Sequence, residues 1–163
     1  MAEAGTAFHD GVRVLNGDDL ERVIAIDRAH SGRSRRHFFA KRFAAAAAHP
    51  DEFIQIGVMR GGSLRGFATA RVFCGEFGRE PTIAMLDAIG VEMEVQERGV
   101  GHTLMDGLIE TMRRAGVHTL QSQAEWTDHG LMRFFDASGF ELAHRVVLER
   151  SNSQPLAEPS ENV

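Results

Sequence analysis

The 163-residue chain contains no tyrosine, one cysteine and one lysine, and each shortage excludes something. The single cysteine, Cys74, excludes an intrachain disulfide and any zinc site built from cysteines alone. The lack of tyrosine removes the phenol as a proton donor from any reaction that the chain catalyses. Lys41 is the one lysine among 18 basic residues, so nearly all of the positive charge is carried by arginine.

Long apolar runs and a basic excess are also missing. No apolar stretch approaches the roughly 20 residues that a helix needs to cross a bilayer. Residues 1–5 have neither the basic nor the apolar region of a signal peptide. The formal net charge of −5 argues against general nucleic-acid binding. We therefore expect a cytoplasmic protein that binds neither membranes nor nucleic acids.

The composition is that of one globular domain. Hydrophobic residues make up 43% of the chain and charged residues 25%, both near the globular average. A chain of this length buries roughly two thirds of its unfolded surface, which is enough for a core without disulfides. We expect a single domain over residues 1–150. The tail over residues 151–163 has two prolines and few large apolar side chains, which predicts disorder.

Hydrophobic periodicity and turn residues predict an α/β domain with a mixed sheet. The expected order is a strand, two helices, an antiparallel set of strands, and then β-α-β-α-β. Asn16 or Asp18 is the predicted cap of the first helix, Ser34 of the second and Asp128 of the last. Strands are predicted over residues 12–15, 53–58, 64–73, 82–91, 119–124 and 140–148, and helices ending near residues 29, 48, 115 and 138.

A glycine-containing segment, residues 96–103, lies between the most apolar predicted strand and an amphipathic helix. Free N–H groups and the helix dipole at such a helix start attract anions, and Arg98 adds a guanidinium. A dinucleotide fingerprint is excluded because Leu104 replaces its third glycine, and no Gly-Lys-Ser/Thr triplet is present. Taken alone, the Gly99-x-Gly101 spacing fits a structural turn as well as a phosphate site.

The wider context of this loop is more specific. Leu86-Asp87-Ala88-Ile89-Gly90-Val91, followed by Gln96-x-x-Gly99-x-Gly101, resembles the acetyl-coenzyme-A motif of GNAT superfamily N-acetyltransferases. Residues 134–140 resemble the family's second segment, in which an aromatic residue precedes Gly-Phe. The resemblance covers most of residues 12–150 and is strongest over 82–140. It implies a mixed, mostly antiparallel sheet with a splayed central strand and about four helices.

The resemblance also implies acetyl-CoA as cosubstrate, without a metal. Backbone groups near Ile89, Gly90 and Val91 would pair with the pantetheine arm and face the thioester carbonyl. Asp128 would contact the arm or only cap its helix, and Phe135 would pack on the arm or belong to the core. The residues expected around the pyrophosphate are Gln96, Glu97, Arg98, Gly99, Val100, Gly101, His102 and Thr103.

Two carboxylates are candidates for the base that deprotonates an attacking amine. Asp87 is the one ionisable side chain within residues 82–91, and strand alternation places it on the same face as Ile89 and Val91. Its alternative role is structural, paired with an arginine or a loop. Glu92 follows the strand and is either a second catalytic candidate or a solvated loop carboxylate.

The family's usual acid is a tyrosine four residues before the glycine of Gly-Phe, where this chain has Phe135. Transfer of a phenol proton to the leaving thiolate is therefore impossible here. Two interpretations remain open. Either the thiolate leaves unassisted or takes its proton from water, because a thiol pKa is only about 8–9, or the chain binds the coenzyme without turnover.

The expected reaction is transfer of an acetyl group from acetyl-CoA to a primary amine of a small molecule. A protein lysine or N-terminus is the alternative acceptor, and a non-catalytic coenzyme-binding module is the alternative function. A homodimer is expected from the resemblance alone. Basic residues over the first two helices favour an anionic acceptor or are only a solvated face: Arg28, Arg33, Arg35, Arg36, Lys41 and Arg42.

Overall fold

The computed structural model describes residues 11–78 and 81–153, without the side chains of Glu76, Glu97 and Arg98. The strands are β1 (Gly11–Val14), β2 (Phe53–Arg60), β3 (Ser63–Phe73), β4 (Ile83–Val91) and β5 (Thr119–Ser122). The helices are α1 (Leu20–Ser31), α2 (Arg36–Ala48), α3 (Val100–Arg114) and α4 (His129–Ala137). Short 3-10 turns join several of them, including one over Met93–Arg98 between β4 and α3.

The described strands form a five-stranded sheet in the order β1-β2-β3-β4-β5. The first three pairings are antiparallel, and β5 runs parallel to β4. Gly61 and Gly62 join β2 to β3 with φ values of 58° and 75°, a turn that the right-handed twist of a hairpin requires. The predicted mixed, mostly antiparallel sheet with four flanking helices is confirmed.

Each face of the sheet is covered by its own pair of helices. On one face α3 and α4 pack over a cluster that includes Ile56, Leu104, Leu108 and Phe135. On the other face α1 and α2 pack over a cluster centred on the fully buried Phe39 and Phe67 rings, whose centroids are 5.5 Å apart. Two apolar layers thus cover the sheet, and β4, between β3 and β5, carries the residues of the candidate site.

The central strand β4 contains a bulge at Asp87. Thr69 of β3 lies opposite Ala88, whereas Ala70 lies opposite Leu86, so Asp87 has no partner in the register. The pairing of β4 with β5 also ends at Leu86, which lies opposite Ser122. Beyond this point β4 has a neighbouring strand on one side only, within the residues described. The predicted splay of the central strand is therefore present.

Of the three predicted helix caps, the one at Asp128 is confirmed for α4. Asn16 caps the short 3-10 turn over Gly17–Asp19 that leads into α1, and α1 itself has Asp19 at its N-cap without a side-chain hydrogen bond. Asn16 accepts the Asp18 N–H at 2.9 Å, and Asp128 Oδ1 accepts the Leu131 N–H at 3.0 Å. The prediction of Ser34 as a cap is wrong, because α2 begins at Arg36 with Arg35 at its N-cap and no side-chain hydrogen bond there. An arginine side chain has no acceptor for the first N–H groups, so the start of α2 depends on packing instead.

The prediction of a strand over residues 140–148 is wrong. These residues have no strand or helix structure, although Phe140 packs on Phe135 with ring centroids 4.6 Å apart. The alternation of apolar and polar side chains fits a strand, but a strand forms only where a neighbouring edge supplies hydrogen bonds. The predicted disorder of the tail falls mostly on residues 154–163, which lie outside the described part of the chain.

Candidate active site

The cleft between β4 and β5 opens directly after the Asp87 bulge. Ile89 and Val91 pair with Ala68 and Gly66 of β3, and on the side of β5 no described strand lies beside them. The backbone of Ile89 and Gly90 therefore presents an edge to which an extended amide-bearing ligand can add, as a strand would. This is the edge that the sequence assigned to the pantetheine arm.

The carbonyl of Val91 is already used within the fold. The Nε2–H of His30, near the C-terminus of α1, donates to it. The Gln96 side-chain nitrogen lies 3.4 Å from both ring nitrogens of His30, so one imidazole joins the end of β4 to the loop that follows. Sequence reasoning missed His30, because eight scattered histidines carried no spacing that singled it out.

Gly90 is required by packing on the opposite face. A Cβ built there would lie 2.7 Å from Cε1 of Phe67 and 3.3 Å from Cγ2 of Ile26. Phe67 is fully buried, so its ring has little room to move. The glycine therefore lets the splayed end of β4 sit tightly on α1 and the buried ring.

The loop before α3 has the geometry of an anion site. Gly99 is the N-cap with φ 75°, no side chain caps this helix, and its first turn holds no acidic residue. The first N–H groups of α3 consequently point outward without a partner inside the helix. The hydroxyl of Thr103 is used internally, because it donates to the Gly99 carbonyl at 3.0 Å. Glu97 and Arg98 have side chains outside the described residues.

Gly101 is held closely against α4. A Cβ at this position would lie 3.1 Å from Cε2 of Phe134, tighter than an ordinary van der Waals contact. The start of α3 and the helix that carries Phe134 and Phe135 are therefore packed together at the candidate anion site. A side chain longer than hydrogen at residue 101 would push the two helices apart.

Asp87 lies on the face covered by α2, and the predicted sharing of a face with Ile89 and Val91 is wrong. Its Oδ2 is 2.8 Å from Nε of Arg42 on α2. Ile89 and Val91 instead pack against the α3 cluster. The bulge reverses the alternation, because one extra residue shifts every later side chain to the other face. Accordingly Leu86 belongs to the α3 cluster and Ala88 to the α2 cluster.

Burial raises the pKa of the Asp87 carboxyl, and the charges of Arg42 and Arg71 oppose that rise. Arg71 lies on β3, with its guanidinium carbon 4.8 Å from the ring centroid of Phe73 and 5.8 Å from that of Phe53. A carboxylate that is partly desolvated binds a proton more readily than an exposed one. Asp87 is thus a stronger base than a surface aspartate, at the residue where the cleft begins.

Glu92 has a different environment. It forms ion pairs with Arg22 of α1 and Arg65 of β3. The hydrogen bond from Arg65 is the largest cause of a lowered pKa of the Glu92 carboxyl; burial opposes it, and the hydrogen bond from Arg22 adds to the lowering. A carboxylate held in this way is a weak base, so the geometry favours a structural tie between α1 and the sheet.

The structure places Asp128 and Phe135 in roles that the fold alone explains. Asp128 caps α4 through one carboxylate oxygen. Phe135 is buried in the α3 cluster against the Phe134 and Phe140 rings. That Asp128 or Phe135 contacts a bound coenzyme is still a prediction from the sequence.

Three of the six basic residues that the sequence suggested as an anionic-acceptor surface form ion pairs. Arg35 pairs with Asp27, Arg36 with Glu21 and Arg42 with Asp87. Their charge is thereby compensated locally, which weakens the case for a general anionic surface there. The charges of Arg42 and Arg71 both lower the pKa of Asp87, the partly buried carboxylate of β4, against the effect of burial.

The match to known proteins identifies the family. The family model described as the acetyltransferase (GNAT) family matches residues 20–140, about three quarters of the chain. The chain therefore belongs to the GNAT family of acetyltransferases. As a member it is an N-acetyltransferase, which moves an acetyl group from acetyl-CoA to an amine.

Solved structures share the fold at low sequence identity. A transcriptional regulator from Bacillus halodurans superposes with a TM-score of 0.74 at 16% identity, over 88% of this chain and 100% of the other. The aminoglycoside N-acetyltransferase AAC(6')-Iy in complex with CoA gives 0.73 at 19%, over 88% and 95%. The aminoglycoside 6'-N-acetyltransferase AAC(6')-Ih from Acinetobacter baumannii gives 0.73 at 14%, over 88% and 99%. No curated protein sequence matches significantly.

The residues that the structure describes contain neither a membrane-spanning helix nor a cluster of metal ligands. No helix there is long and apolar enough to cross a membrane. No group of three or more histidine, cysteine, aspartate or glutamate side chains within residues 11–78 and 81–153 has the arrangement of a metal site.

Proposed function

We propose that the chain acetylates the primary amine of a small molecule, with Asp87 as the base. The observation that carries this proposal is the coincidence of three features at one point of β4. The bulge, the end of pairing with β5 and the one ionisable side chain of the strand all fall at Asp87. A carboxylate with a raised pKa is thereby set where the acyl group of a coenzyme in the cleft would end.

The coenzyme would bind along the edge of β4 and across the start of α3. Its pantetheine amides would pair with backbone groups of Ile89, Gly90 and the N–H of Val91, because the Val91 carbonyl already accepts from His30. Its pyrophosphate would accept the free N–H groups of Val100, Gly101 and His102. Gln96, Glu97, Arg98, Gly99 and Thr103 complete the loop that follows the strand.

The chemistry is direct attack on the thioester. The amine loses a proton to Asp87 or to a water that the carboxylate orients, and its nitrogen bonds to the carbonyl carbon. Backbone N–H groups near Ile89–Val91 stabilise the oxyanion. The carbon–sulfur bond then breaks, and the coenzyme A thiolate leaves with its electron pair and takes a proton from water. No phenol is needed, since a thiol with a pKa of about 8–9 is a good leaving group.

A small-molecule acceptor is supported by structures of similar fold, two of which are described as aminoglycoside acetyltransferases. We also propose that the protein is cytoplasmic and homodimeric. The competing function is a coenzyme-binding module without turnover, which the missing tyrosine favours.

A screen of amines for release of free coenzyme A thiol tests this proposal. Turnover of a small amine with mass confirmation of the acetylated product supports it. Tight coenzyme binding, measured by calorimetry, without thiol release on any amine would overturn it in favour of the binding module. Acetylation confined to a peptide lysine or N-terminus would overturn the small-molecule acceptor while leaving the reaction class intact.

A further inference from the structure

Two guanidinium groups act on one carboxylate on the face of the sheet that α2 covers. Nε of Arg42 lies 2.8 Å from Oδ2 of Asp87, and the charge of Arg71 also acts on this carboxylate. No other carboxylate in the described part of the chain forms an ion pair with either arginine. These three side chains, named here the arginine–aspartate cluster, therefore carry one positive charge in excess.

The arginine–aspartate cluster is largely withdrawn from water. The side chains of Asp87 and Arg42 are 15% and 25% exposed, and Arg71 is half-buried. Nε of each arginine and Oδ2 of Asp87 are buried atoms without a hydrogen-bond partner among the described residues. A buried charge or donor without a partner costs free energy, so the cluster is incomplete without a further acceptor.

Aromatic rings hold both guanidinium groups in place. The guanidinium carbon of Arg71 lies 4.8 Å from the ring centroid of Phe73 and 5.8 Å from that of Phe53, and Arg42 lies 5.2 Å from that of Phe38. Stacking on a ring uses the face of a guanidinium and leaves the N–H donors at its edge available to an oxyanion. Half-buried rings also exclude water, which strengthens the attraction between a guanidinium and a bound anion.

Glu92 provides a comparison within the same chain. It also faces two arginines, but Arg22 and Arg65 both donate hydrogen bonds to its carboxylate. By contrast, Arg71 donates no hydrogen bond to any described residue, although its charge acts on Asp87. Neutralisation of a carboxylate thus explains both arginines around Glu92, whereas it leaves the donors of Arg71 without a use.

Arg71 lies close to the point at which the amine is proposed to react. Ala70 and Val72, its neighbours along β3, pack against the cluster under α3, so alternation directs Arg71 to the α2 side, as Asp87 is. Arg71 lies opposite Met85, two residues before Asp87 on β4. Residues in this diagonal relation are about 7–8 Å apart, a distance that one small molecule spans.

We propose that the acceptor is a primary amine that also carries an acidic group, a carboxylate or a phosphate. The acidic group binds the outer N–H groups of Arg71, and the amine reaches Asp87. This inference rests on the proposed acetylation of a small amine and names its substrate class. A guanidinium fork matches the spacing of oxyanion oxygens, and the bound anion brings the charge of the cluster to zero. A polycationic amine would instead be repelled by the two arginines.

Matched acceptors test the substrate class. Release of coenzyme A thiol is measured for γ-aminobutyrate and its carboxamide, for phosphoethanolamine and ethanolamine, and for the dication putrescine. The acidic member of at least one pair is expected to have a kcat/KM at least about tenfold above its neutral partner, with putrescine the poorest acceptor. The pair that shows the preference distinguishes a carboxylate from a phosphate. Turnover confined to neutral or cationic amines would overturn this inference and leave the acetylation of a small amine intact.

Substitution of Arg71 tests the residue. Arg71→Gln is expected to raise KM for the preferred acidic acceptor at least about tenfold and to leave KM for its neutral partner within about twofold. Arg71→Lys, which keeps the charge but not the fork, is expected to retain part of the preference. Arg36→Gln is the control and should change neither KM, because Arg36 pairs with Glu21 on the exposed surface. An equal change for both acceptors in Arg71→Gln would show that Arg71 acts only on Asp87 or on the fold.

Calorimetry separates a failure of this inference from a failure of the proposed function. γ-Aminobutyrate and phosphoethanolamine are titrated into the protein with coenzyme A bound. Saturable binding of at least one acid is expected, weakened by Arg71→Gln and kept in Arg36→Gln. Such binding without thiol release on any amine would end the proposed acetylation but support the anion site. Absence of saturable binding by both acids would overturn the inference, whether or not other amines are acetylated.

Discussion

The Nε of Arg42 lies 2.8 Å from Oδ2 of Asp87, the residue at which the central strand bulges. No described residue gives either atom a well-aligned hydrogen bond, so the contact is one between charges rather than a directed bond. Arg42 also stacks over Phe38, with 5.2 Å between its guanidinium carbon and the ring centroid. The Arg42 charge opposes the rise in the pKa of Asp87 that burial causes. The Oδ2 atom of Asp87 has no directed hydrogen bond from the described residues and is therefore available to accept a proton.

The pH dependence of turnover is expected to report Asp87. As a base it must be ionised, so kcat/KM rises with pH through its pKa. Because the Arg42 charge lowers that pKa, Arg42→Gln should move the low-pH limb of the profile to higher pH. Asp87→Asn should remove the limb and lower kcat/KM by roughly 10²–10⁴-fold.

The control for this profile is Arg36→Gln. Arg36 pairs with the exposed Glu21 on the outer surface of the helices, so its loss should leave the profile unchanged. Asp87→Asn with the parent kcat/KM, or a limb that stays in place in Arg42→Gln, would show that Asp87 is structural.

Coenzyme binding is expected to depend on the small size and neutrality of residue 101. Gly101→Glu crowds Phe134 and sets a negative charge where the pyrophosphate is proposed to bind. Loss of a hydrogen bond to a charged group costs about 1.5–3 kcal/mol, which corresponds to at least about tenfold in Kd. Isothermal titration with coenzyme A measures the change.

A double variant separates crowding from charge in this experiment. Gly101→Ala should weaken binding less than Gly101→Glu, and Gly101→Ala with Phe134→Ala should recover part of the loss by making room for the added methyl group. Because a carboxylate at a helix start is itself favourable to the helix, Gly101→Glu should still fold by circular dichroism. If Gly101→Glu bound coenzyme A with the affinity of the parent protein, the pyrophosphate would not bind at the start of α3.

Glu92 is expected to stabilise the fold above its ordinary pKa and to lose this effect in acid. Arg65 and Arg22 lower the pKa of Glu92 in the folded chain below its ordinary value of 4.5. The contribution of Glu92 to the free energy of unfolding is therefore fully present above pH 4.5. It is lost as the pH falls through the lowered pKa of the folded chain. Ion pairs open to solvent contribute about 0.2–1 kcal/mol, so Glu92→Gln should lower the Tm by about 1–4 °C at pH 7.

Thermal melts between pH 7 and pH 3 check this expectation. The difference between the parent and Glu92→Gln should shrink as the pH falls below 4.5. Glu125→Gln is the matched control, because Glu125 is an exposed carboxylate that forms no ion pair among the described residues. A difference in Tm that stays constant across this range would mean that the charge of Glu92 does not contribute to the stability of the fold.

Phe135 is expected to matter for stability more than for proton transfer. Its ring is buried beside Phe140, so Phe135→Ala should lower the free energy of unfolding by about 3–5 kcal/mol in urea titrations. If the thiolate leaves without a phenol, Phe135→Tyr should keep kcat within about threefold of the parent. A tenfold rise in kcat, absent from the control Phe134→Tyr, would show that a missing proton donor limits the reaction.

The order of helices and strands could be predicted from the sequence because most of it depends on local patterns. Asp128 caps α4 as predicted, and Asn16 caps the short 3-10 turn that leads into α1. Gly61 and Gly62 form a tight local turn between β2 and β3. The start of α2 could not be predicted, since Arg35 holds its N-cap without a side-chain hydrogen bond. The prediction of a strand over residues 140–148 was wrong for a related reason. The alternation of apolar and polar side chains lies within the segment, but the hydrogen bonds of a strand need the edge of a neighbouring strand outside it.

The spacing of Gly99 and Gly101 alone did not distinguish a phosphate site from a structural turn. The loop together with the strand before it carried the resemblance to the family, which the family model over residues 20–140 confirms. The His30 contact with Val91 was not evident, because it joins residues 61 positions apart. The pattern of apolar and polar residues in α1 does not indicate whether the His30 side chain contacts the end of β4 or faces solvent.

The sequence by itself determined the class of the protein and the absence of a tyrosine phenol from its chemistry, and it predicted the loop that would bind the acetyl donor. Only the tertiary structure decided where the candidate base points. Alternation along an ideal strand sets Asp87 beside Ile89 and Val91, but the bulge adds one unpaired residue and directs Asp87 toward Arg42 on α2. A bulge depends on how two strands pair, here β3 with β4, and the sequence of either strand alone does not specify that register.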